Sequence, residues 1–273
     1  MAQQIERTLD ILELLVDEAR GLALGELALR LGMPKSAAHR LLAELVDQGY
    51  ALQDPASQHY KLTMRLPVLG FRFLNNSGLT DVCQPVLDDL AEKSGELVRL
   101  TVVDGDNLVW VAEAQGARYG LRYDGNFGRR VNLSATATGK CWLATLDEDE
   151  AIGIVLNQGF GDPSEVGPNA IRSAKNLIEE LAKTRSQGYA VACDEGEPGM
   201  SALAAAIRIS ENAGCVGTVS IAGPTIRLTP DIQEHLAPSV IEAASSLSSL
   251  WPARMLQPEI RRQTRDLVAR AGS

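Results

Sequence analysis

Long apolar runs are missing from this chain. No stretch of 18 or more apolar residues occurs, so no membrane-spanning helix is expected. The first ten residues, MAQQIERTLD, lack a basic segment followed by an apolar one, so no signal peptide is expected and the protein reads as cytoplasmic. Cysteine is sparse and scattered. Cys83, Cys141, Cys193 and Cys215 form no CxxC pair and no Cys/His spacing, which excludes a zinc module and fits reduced thiols. Histidine is limited to His39, His59 and His235. A Ser-His-Asp or Cys-His set in the C-terminal part would depend on His235, which has no motif around it. There is no Walker A pattern and no GxGxxG behind a strand. No catalytic set, no cofactor and no metal is therefore expected, and the chain does not read as an enzyme. An excess of positive charge is also missing: 26 Lys+Arg stand against 35 Asp+Glu, a net charge of −9. That excludes an indiscriminate polycation, and any nucleic-acid contact must come from local placement of charge.

The stretch Gly21–Lys61 supplies such a placement. Leu24, Leu27, Ala28 and Leu31 fall on one face of a short helix. Gly32 stops it, because glycine tolerates the left-handed cap. Pro34 starts a second helix, its fixed φ suiting the first helical position. That helix has Ala38, Leu41, Leu42, Leu45 and Val46 on one face. Its other face carries Lys35, Ser36, His39, Arg40 and Ala43. Two short helices joined by a glycine turn make a helix-turn-helix. Tyr50–Gln53 and His59–Leu62 then read as two strands around Asp54-Pro55, which fits a type I turn, so a β-wing follows. Residues 1–64 are acidic, but five of their anions lie on a preceding helix, over residues 4–18, that this geometry keeps out of the groove. Lys35, Arg40 and Lys61 lie where a groove-facing surface belongs, and marked salt sensitivity is expected.

With IERTLDILELL, LGMPKSAAHRLLAELVDQGY and the wing, residues 5–60 resemble the winged-helix domain of the IclR family of bacterial transcriptional regulators. NLSATATGKCWLAT, LAKTRSQGYAV and VGTVSIAGP resemble that family's effector-binding domain, and the resemblance spans about residues 4–250. Two departures stand out. Ala23 occupies a position where the family commonly has a capping Ser or Thr closed by Glu26, and loses that bond at about 1 kcal/mol. Ala37 stands where the family commonly has Thr facing DNA, and can touch a thymine methyl only.

The chain is long enough for two domains. We expect an α/β (α+β) architecture: a winged helix-turn-helix DNA-binding domain over 1–63, a linker helix over 64–78 beginning near Pro67, and an effector-binding domain over 79–250. Residues 251–273 form a tail with a short helix. In the linker, Leu66, Leu69, Phe73 and Leu74 share a face. In the second domain, helices are expected around Val86–Ala91, over Ser134–Leu146, from Asp147 to about Gly159, from Ser173 to Gly188 and over Pro230–Leu250. Leu97–Val103 and Leu108–Ala112 read as a hairpin around Asp104-Gly105. Gly120–Tyr123 is a candidate strand. Tyr189–Cys193, Leu203–Ile209 and Val216–Ala222 read as strands, with Glu211–Gly214 as the turn between the last two. Helices outside strands imply a mixed sheet, and the resemblance implies a GAF-like sensor fold.

The DNA-contacting residues are expected to be Lys35, Ser36, Ala37, His39, Arg40, Tyr60 and Lys61. Arg40 is the candidate for bidentate guanine contact. Small residues open the helix at Ala135–Lys140, and free N–H groups there favour an anion. The resemblance places an effector near Tyr123, Ala137, Thr138, Gly139, Cys193, Met200 and Ser220. The partners implied are double-stranded operator DNA, a small organic acid, and further copies of the chain as a homodimer or dimer of dimers, with no membrane. Arg122 ranks below these as a counter-charge, because strand alternation points it away from Tyr123. Two other readings stay open at this point. The second domain could serve only to oligomerise, or it could be an enzyme fused to a DNA-binding module.

Overall fold

Helix α1 (Ala2–Val16), α2 (Leu24–Arg30) and α3 (Lys35–Asp47) are followed by the short strands β1 (Ala51–Gln53) and β2 (Tyr60–Leu62) and by α4 (Arg65–Ser77). The computed structural model describes residues 2–119, 122–123, 131–209 and 214–252. The chain divides into two units, Met1–Asn76 and Ser77–Ser273.

The core of the first unit is made by Ile11 and Leu15 of α1, Leu27 and Ala28 of α2, and Ala38, Leu41, Leu42 and Leu45 of α3. Each fully buried leucine contributes about 1.5–3 kcal/mol. Gly32 takes φ +59° after the C-cap Leu31, as a left-handed terminator should. Pro34 is the N-cap of α3, one residue earlier than its expected place inside the helix. At Ala23 the N-cap side chain makes no bond, and Glu26 pairs with Arg30 at 2.5 Å instead. Arg30 also meets Glu18 at 2.6 Å, so this arginine ties the exit of α1 to α2. The wing is an antiparallel pair with Leu52 opposite Lys61, and Leu22 bridges to Tyr60 on its other side. Thr63 accepts from Arg65 N at 3.2 Å and donates to Gly49 O at 2.6 Å, which anchors the start of α4 to the turn between α3 and β1.

Helical spacing predicts Ile5, Leu9, Leu12, Leu15 and Val16 as the inward face of α1, and the structure departs from it. Ile11 and Leu15 are buried and Leu12 is half-buried, while Ile5, Leu9 and Val16 are more than half exposed. The apolar positions of α1 cover more than one face, so spacing alone did not select which face packs. In α4, Leu66 and Leu74 are half-buried, and Val68, Leu69, Phe71 and Phe73 are exposed.

In the second unit α5 (Leu79–Ser94) leads into β3 (Leu97–Asp104) and β4 (Asn107–Gln115). Helices α6 (Ala137–Leu143), α7 (Glu148–Gln158) and α8 (Ala174–Gln187) follow. Strands β5 (Ala190–Cys193), β6 (Met200–Arg208) and β7 (Cys215–Pro224) then precede α9 (Pro230–Leu250). The five strands form one sheet in the order β4-β3-β7-β6-β5. The sheet-plus-helices class is as expected, but all four pairings are antiparallel, so the sheet is not mixed in strand direction. β7 lies at its centre and is buried along its whole length, which explains its unbroken run of apolar and small residues.

The two faces of the sheet are filled differently. On one, Val98, Leu100, Leu203, Ile207, Val219 and Ile221 pack against α5 and α9. On the other, the sheet presents Ala190, Ala192, Ala202, Ala204 and Ala206, against which Ala137 and Cys141 of α6 pack. Methyl groups fill less depth than leucines, and this face leaves a hollow. The expected helix at 134–146 is shorter, Ala137–Leu143, because Asn132 captures the N–H groups of Ser134 and Ala135 in a turn before it. Of the expected Gly120–Tyr123 strand, residues 120–121 lie outside the described residues, and Arg122 and Tyr123 are not in a strand. The tail helix and most of the Glu211–Gly214 turn also lie outside them.

Candidate functional site

The first candidate surface is the outer face of α3. Lys35, Ser36, His39 and Arg40 are exposed and Ala37 is half-buried, while the opposite face is core. Arg40 is exposed and has no ion pair with Glu44 among the described residues. The wing flanks this surface. Its turn is held by Asp54, whose Oδ1 accepts from Ala56 N at 3.0 Å, Ser57 N at 2.8 Å and Ser57 Oγ at 3.0 Å. These bonds hold the Asp54 carboxyl down at about 2. Lys61 Nζ lies 3.4 Å from Asp54 Oδ2, so any phosphate it meets competes with that carboxylate. Tyr60 does not belong to the surface. It is 5% exposed and packs in the core of the first unit, because its strand position alternates inward.

The second candidate is the hollow on the alanine face of the large sheet, a cavity of about 570 Å³. This is within the range of small-molecule sites. Its floor is the sheet: Arg99 of β3, Ser220 and Ala222 of β7, and Ala202 of β6. Its other walls come from the start of α6 (Ala137, Thr138), from Tyr123, from the 161–166 loop and from Gly196, Glu197 and Met200. Five expected effector residues therefore meet here: Tyr123, Ala137, Thr138, Met200 and Ser220.

Two do not. Gly139 faces the Leu133 backbone: a Cβ there would lie 2.3 Å from Leu133 O and 2.4 Å from Leu133 Cα. It sits at a close approach of helix to loop and does not line the cavity. Cys193 is half-buried beside the cavity, accepting from Ser201 Oγ at 3.4 Å. The expected anion cradle is also partly filled from within. The N–H of Gly139 donates to Thr136 Oγ1 at 3.0 Å and that of Lys140 donates to Thr136 O.

The residue that sequence reasoning missed is Arg99. It stands on β3 opposite Ser220 of β7 and Glu113 of β4. Its guanidinium carbon lies 3.7 Å from the Trp110 ring centroid and 5.6 Å from that of Tyr123. Its Nε is buried with no hydrogen-bond partner among the described residues. Burial pushes its pKa down, against the pull of Tyr123, Glu113 and Glu197. The signal available in the sequence was a single arginine inside the apolar run Leu97–Val103.

A buried ion cluster braces the cavity wall. Lys140 of α6 is 1% exposed, and its Nζ donates to Glu195 Oε1 at 2.7 Å, Glu195 Oε2 at 2.9 Å and Glu180 Oε1 of α8 at 3.1 Å. Glu195 precedes Gly196 and Glu197, which line the cavity. Burial, with Glu180 nearby, holds the Glu195 pKa above its ordinary value against the pull of Lys140. Gly167 N donates to Glu195 O and Asn169 N donates to Asp194 O, so the 194–199 loop is held from two sides. Among the described residues no cluster of His, Cys, Asp or Glu fits a metal ion, and no histidine lines the cavity. None of their helices is long and apolar enough to cross a membrane.

Comparison with known proteins gives a consistent picture. Residues 71–249 match the family model described as bacterial transcriptional regulator IclR, C-terminal, and residues 4–55 match the IclR helix-turn-helix domain. The chain is 30% identical over 247 residues to the transcriptional repressor IclR of Escherichia coli (strain K12), covering 90% of this chain and 89% of that protein. The crystal structure of an IclR transcriptional regulator from Alicyclobacillus acidocaldarius aligns with a TM-score of 0.78 at 25% identity, covering 92% of this chain and 99% of that one. An IclR homologue from Microbacterium hydrocarbonoxydans, solved in complex with 4-hydroxybenzoate, aligns with a TM-score of 0.72 at 21% identity over 92% of this chain and 99% of that one, and shares the fold.

Proposed function

This chain belongs to the IclR family of bacterial transcriptional regulators, and on that premise we propose that its second unit senses a small organic acid, of a catabolic pathway, in the cavity over Arg99. The observation that carries this reading is the Arg99 guanidinium: a half-buried cation on a cavity floor, with its Nε buried and unpartnered among the described residues and Ser220 as its strand neighbour. A planar guanidinium stacked on Trp110 presents its N–H edge as a preorganised fork for a carboxylate. The start of α6, through Ala137 and Thr138, supplies small groups that let the ligand approach the backbone.

The DNA-reading set is Lys35, Ser36, Ala37, His39 and Arg40, with Lys61 from the wing. Arg40 reads a base edge, and the lysines meet phosphate. One winged helix covers too few bases for useful specificity, so two copies read half-sites related by a two-fold axis, as a dimer or dimer of dimers. Exposed Leu69 and Phe73 on α4, with Val68 and Phe71, supply the apolar face for that assembly. The ligand alters DNA binding through unequal affinity for two arrangements of the chain. We read the protein as a cytoplasmic regulator and the second unit as a sensor rather than an enzyme.

The test is calorimetric titration of short aliphatic and aromatic acids into the wild type and Arg99→Met. DNA selected by the wild type from random duplexes serves as operator in a parallel anisotropy assay. An acid that binds the wild type, shifts operator affinity about 5–150-fold and fails with Arg99→Met supports the reading. Equal binding to both proteins refutes the pocket.

A further inference from the structure

Among the described residues the cavity carries charge of both signs, and they are not balanced. Among the described lining residues Arg99 is the sole cation, while Asp162, Glu165 and Glu197 are carboxylates. Arg99 is also under the influence of Glu113, its partner across β4. A simple monoanion entering this site gains the guanidinium but adds a further negative charge to a wall that is already acidic. The three carboxylates are themselves exposed, so water screens that repulsion in part but does not turn it into attraction.

The positions of the two signs suggest how it is relieved. Arg99 and Ser220 are register partners on β3 and β7, so their side chains rise side by side from the floor. Ser220 is 2% exposed, lines the cavity, and its hydroxyl makes no bond among the described residues. Tyr123 spans from this end to the other. Its ring lies 5.6 Å from the Arg99 guanidinium, and its hydroxyl donates to Glu197 Oε1 at 3.3 Å. Burial raises the Tyr123 pKa, so it stays a neutral donor. Glu197 Oε2 accepts nothing among the described residues. A carboxylate receptor and a carboxylate thus stand about one tyrosine side chain apart, over a strip made by the methyl groups of Ala202 and Ala222.

We propose that the ligand of this pocket is an amino-carboxylate: its carboxylate meets Arg99 and Ser220, and its protonated nitrogen faces Glu197. This rests on reading the cavity as the effector site and narrows the class of acid it takes. Such a ligand brings one charge of each sign, satisfies the unpartnered Arg99 Nε, and leaves the acidic wall no more negative than before.

The experiment is calorimetry on the full-length protein with matched probes. The twenty protein amino acids, β-alanine and 4-aminobutanoate are each compared with the corresponding acid lacking the nitrogen and with the corresponding hydroxy acid. At least one amino-carboxylate should bind about tenfold or more tightly than both of its matched acids. Glu197→Gln should erase that preference, and Arg99→Met should weaken binding of all three by about 10–150-fold. Glu197 is exposed, so its substitution leaves the fold intact, as melting of the variant will show. The proposal is overturned if no amino-carboxylate binds, if the nitrogen-free acid binds as tightly, or if Glu197→Gln retains the preference. Nitrogen-free acids that bind the wild type and fail with Arg99→Met would leave the acid-sensor reading standing and remove only this narrower one.

Discussion

Trp110 sits on the same face of the sheet as Arg99, 3.7 Å from its guanidinium, although strict alternation along β4 from Glu113 would send it to the opposite face. A bulge makes the difference. The register runs Arg99–Glu113, Leu100–Ala112 and then Thr101–Trp110, so Val111 is the extra residue. A bulge re-aims every side chain beyond it. Here it brings an indole under a half-buried guanidinium, a cation–π contact worth about 1–2 kcal/mol. The arginine is held flat at the cavity floor before any ligand arrives.

Arg99→Met keeps length and an apolar contact with Trp110 but removes the charge. Binding of the active ligand should fall by about 1.5–3 kcal/mol, the range for hydrogen bonds to charged groups. Ser220→Ala should lower it by about 0.5–1.5 kcal/mol, or more where the hydroxyl meets the ligand's charge. Calorimetry on both variants checks the order; a larger loss at Ser220 than at Arg99 would contradict it.

Substitution at Gly139 should act on folding, not on ligand choice. A Cβ there strikes the Leu133 backbone, which cannot swing aside as a side chain can. Gly139→Ala should destabilise the second unit by about 1–3 kcal/mol. The check is a denaturant melt of the ligand-free protein, where an unchanged midpoint would refute the close approach.

Lys140→Met leaves Glu195 and Glu180 without their shared cation. Breaking a buried pair in this way destabilises by about 3–5 kcal/mol, and Lys140→Met with Glu195→Gln should recover part of it. The sign of the pH effect follows from Glu195. Its folded pKa lies above the ordinary value because of burial, so the native state binds the proton more tightly than the unfolded chain. Stability of Lys140→Met should therefore rise on acidification through that raised pKa and fall again as the pH returns to neutrality. Urea melts across the acid range would measure it.

The wing turn should be acid-labile. Asp54 is held at about 2, down from its ordinary 3.8, by the hydrogen bonds of Ser57 first and then by Lys61. A depressed carboxylate contributes stability above its unfolded pKa and loses it as the pH falls toward the folded one. The Asp54 carboxyl carbon, followed by NMR, should titrate near 2, and amides 56 and 57 should gain exchange rate over the same interval. A midpoint near 4 would rule out the turn geometry.

On the DNA side, Arg40→Ala should weaken operator binding by about 1–3 kcal/mol and relax specificity. Lys61→Ala should weaken all sequences alike and flatten the salt dependence. Tyr60→Phe should leave affinity unchanged, since its ring is core. Anisotropy titrations at two salt concentrations separate the three. Full affinity in Arg40→Ala would remove that residue from the reading surface.

The sequence by itself determined the parts of this protein that are local. Helix periods, the Gly32 stop, the Ser173 cap that bonds Asn176 N, the Asp104-Gly105 hairpin and the Gly188 terminator all depend on residues a few positions apart. Motif order then carried the family and, through it, much of the pocket, because Ala137, Thr138 and Ser220 fall in stretches that resemble the family. The tertiary structure decided what depends on distant partners. It chose which face of α1 packs, turned Tyr60 inward, and set Gly139 against Leu133. It also gathered Lys140, Glu180 and Glu195 from three separate segments into one ion cluster. Arg99 shows the reason most clearly. In the sequence it is one charge in an apolar run; its meaning comes from β7 pairing on one side and a bulged β4 on the other. Strand register and a one-residue bulge are set by packing of the whole sheet, and no short window of sequence contains them.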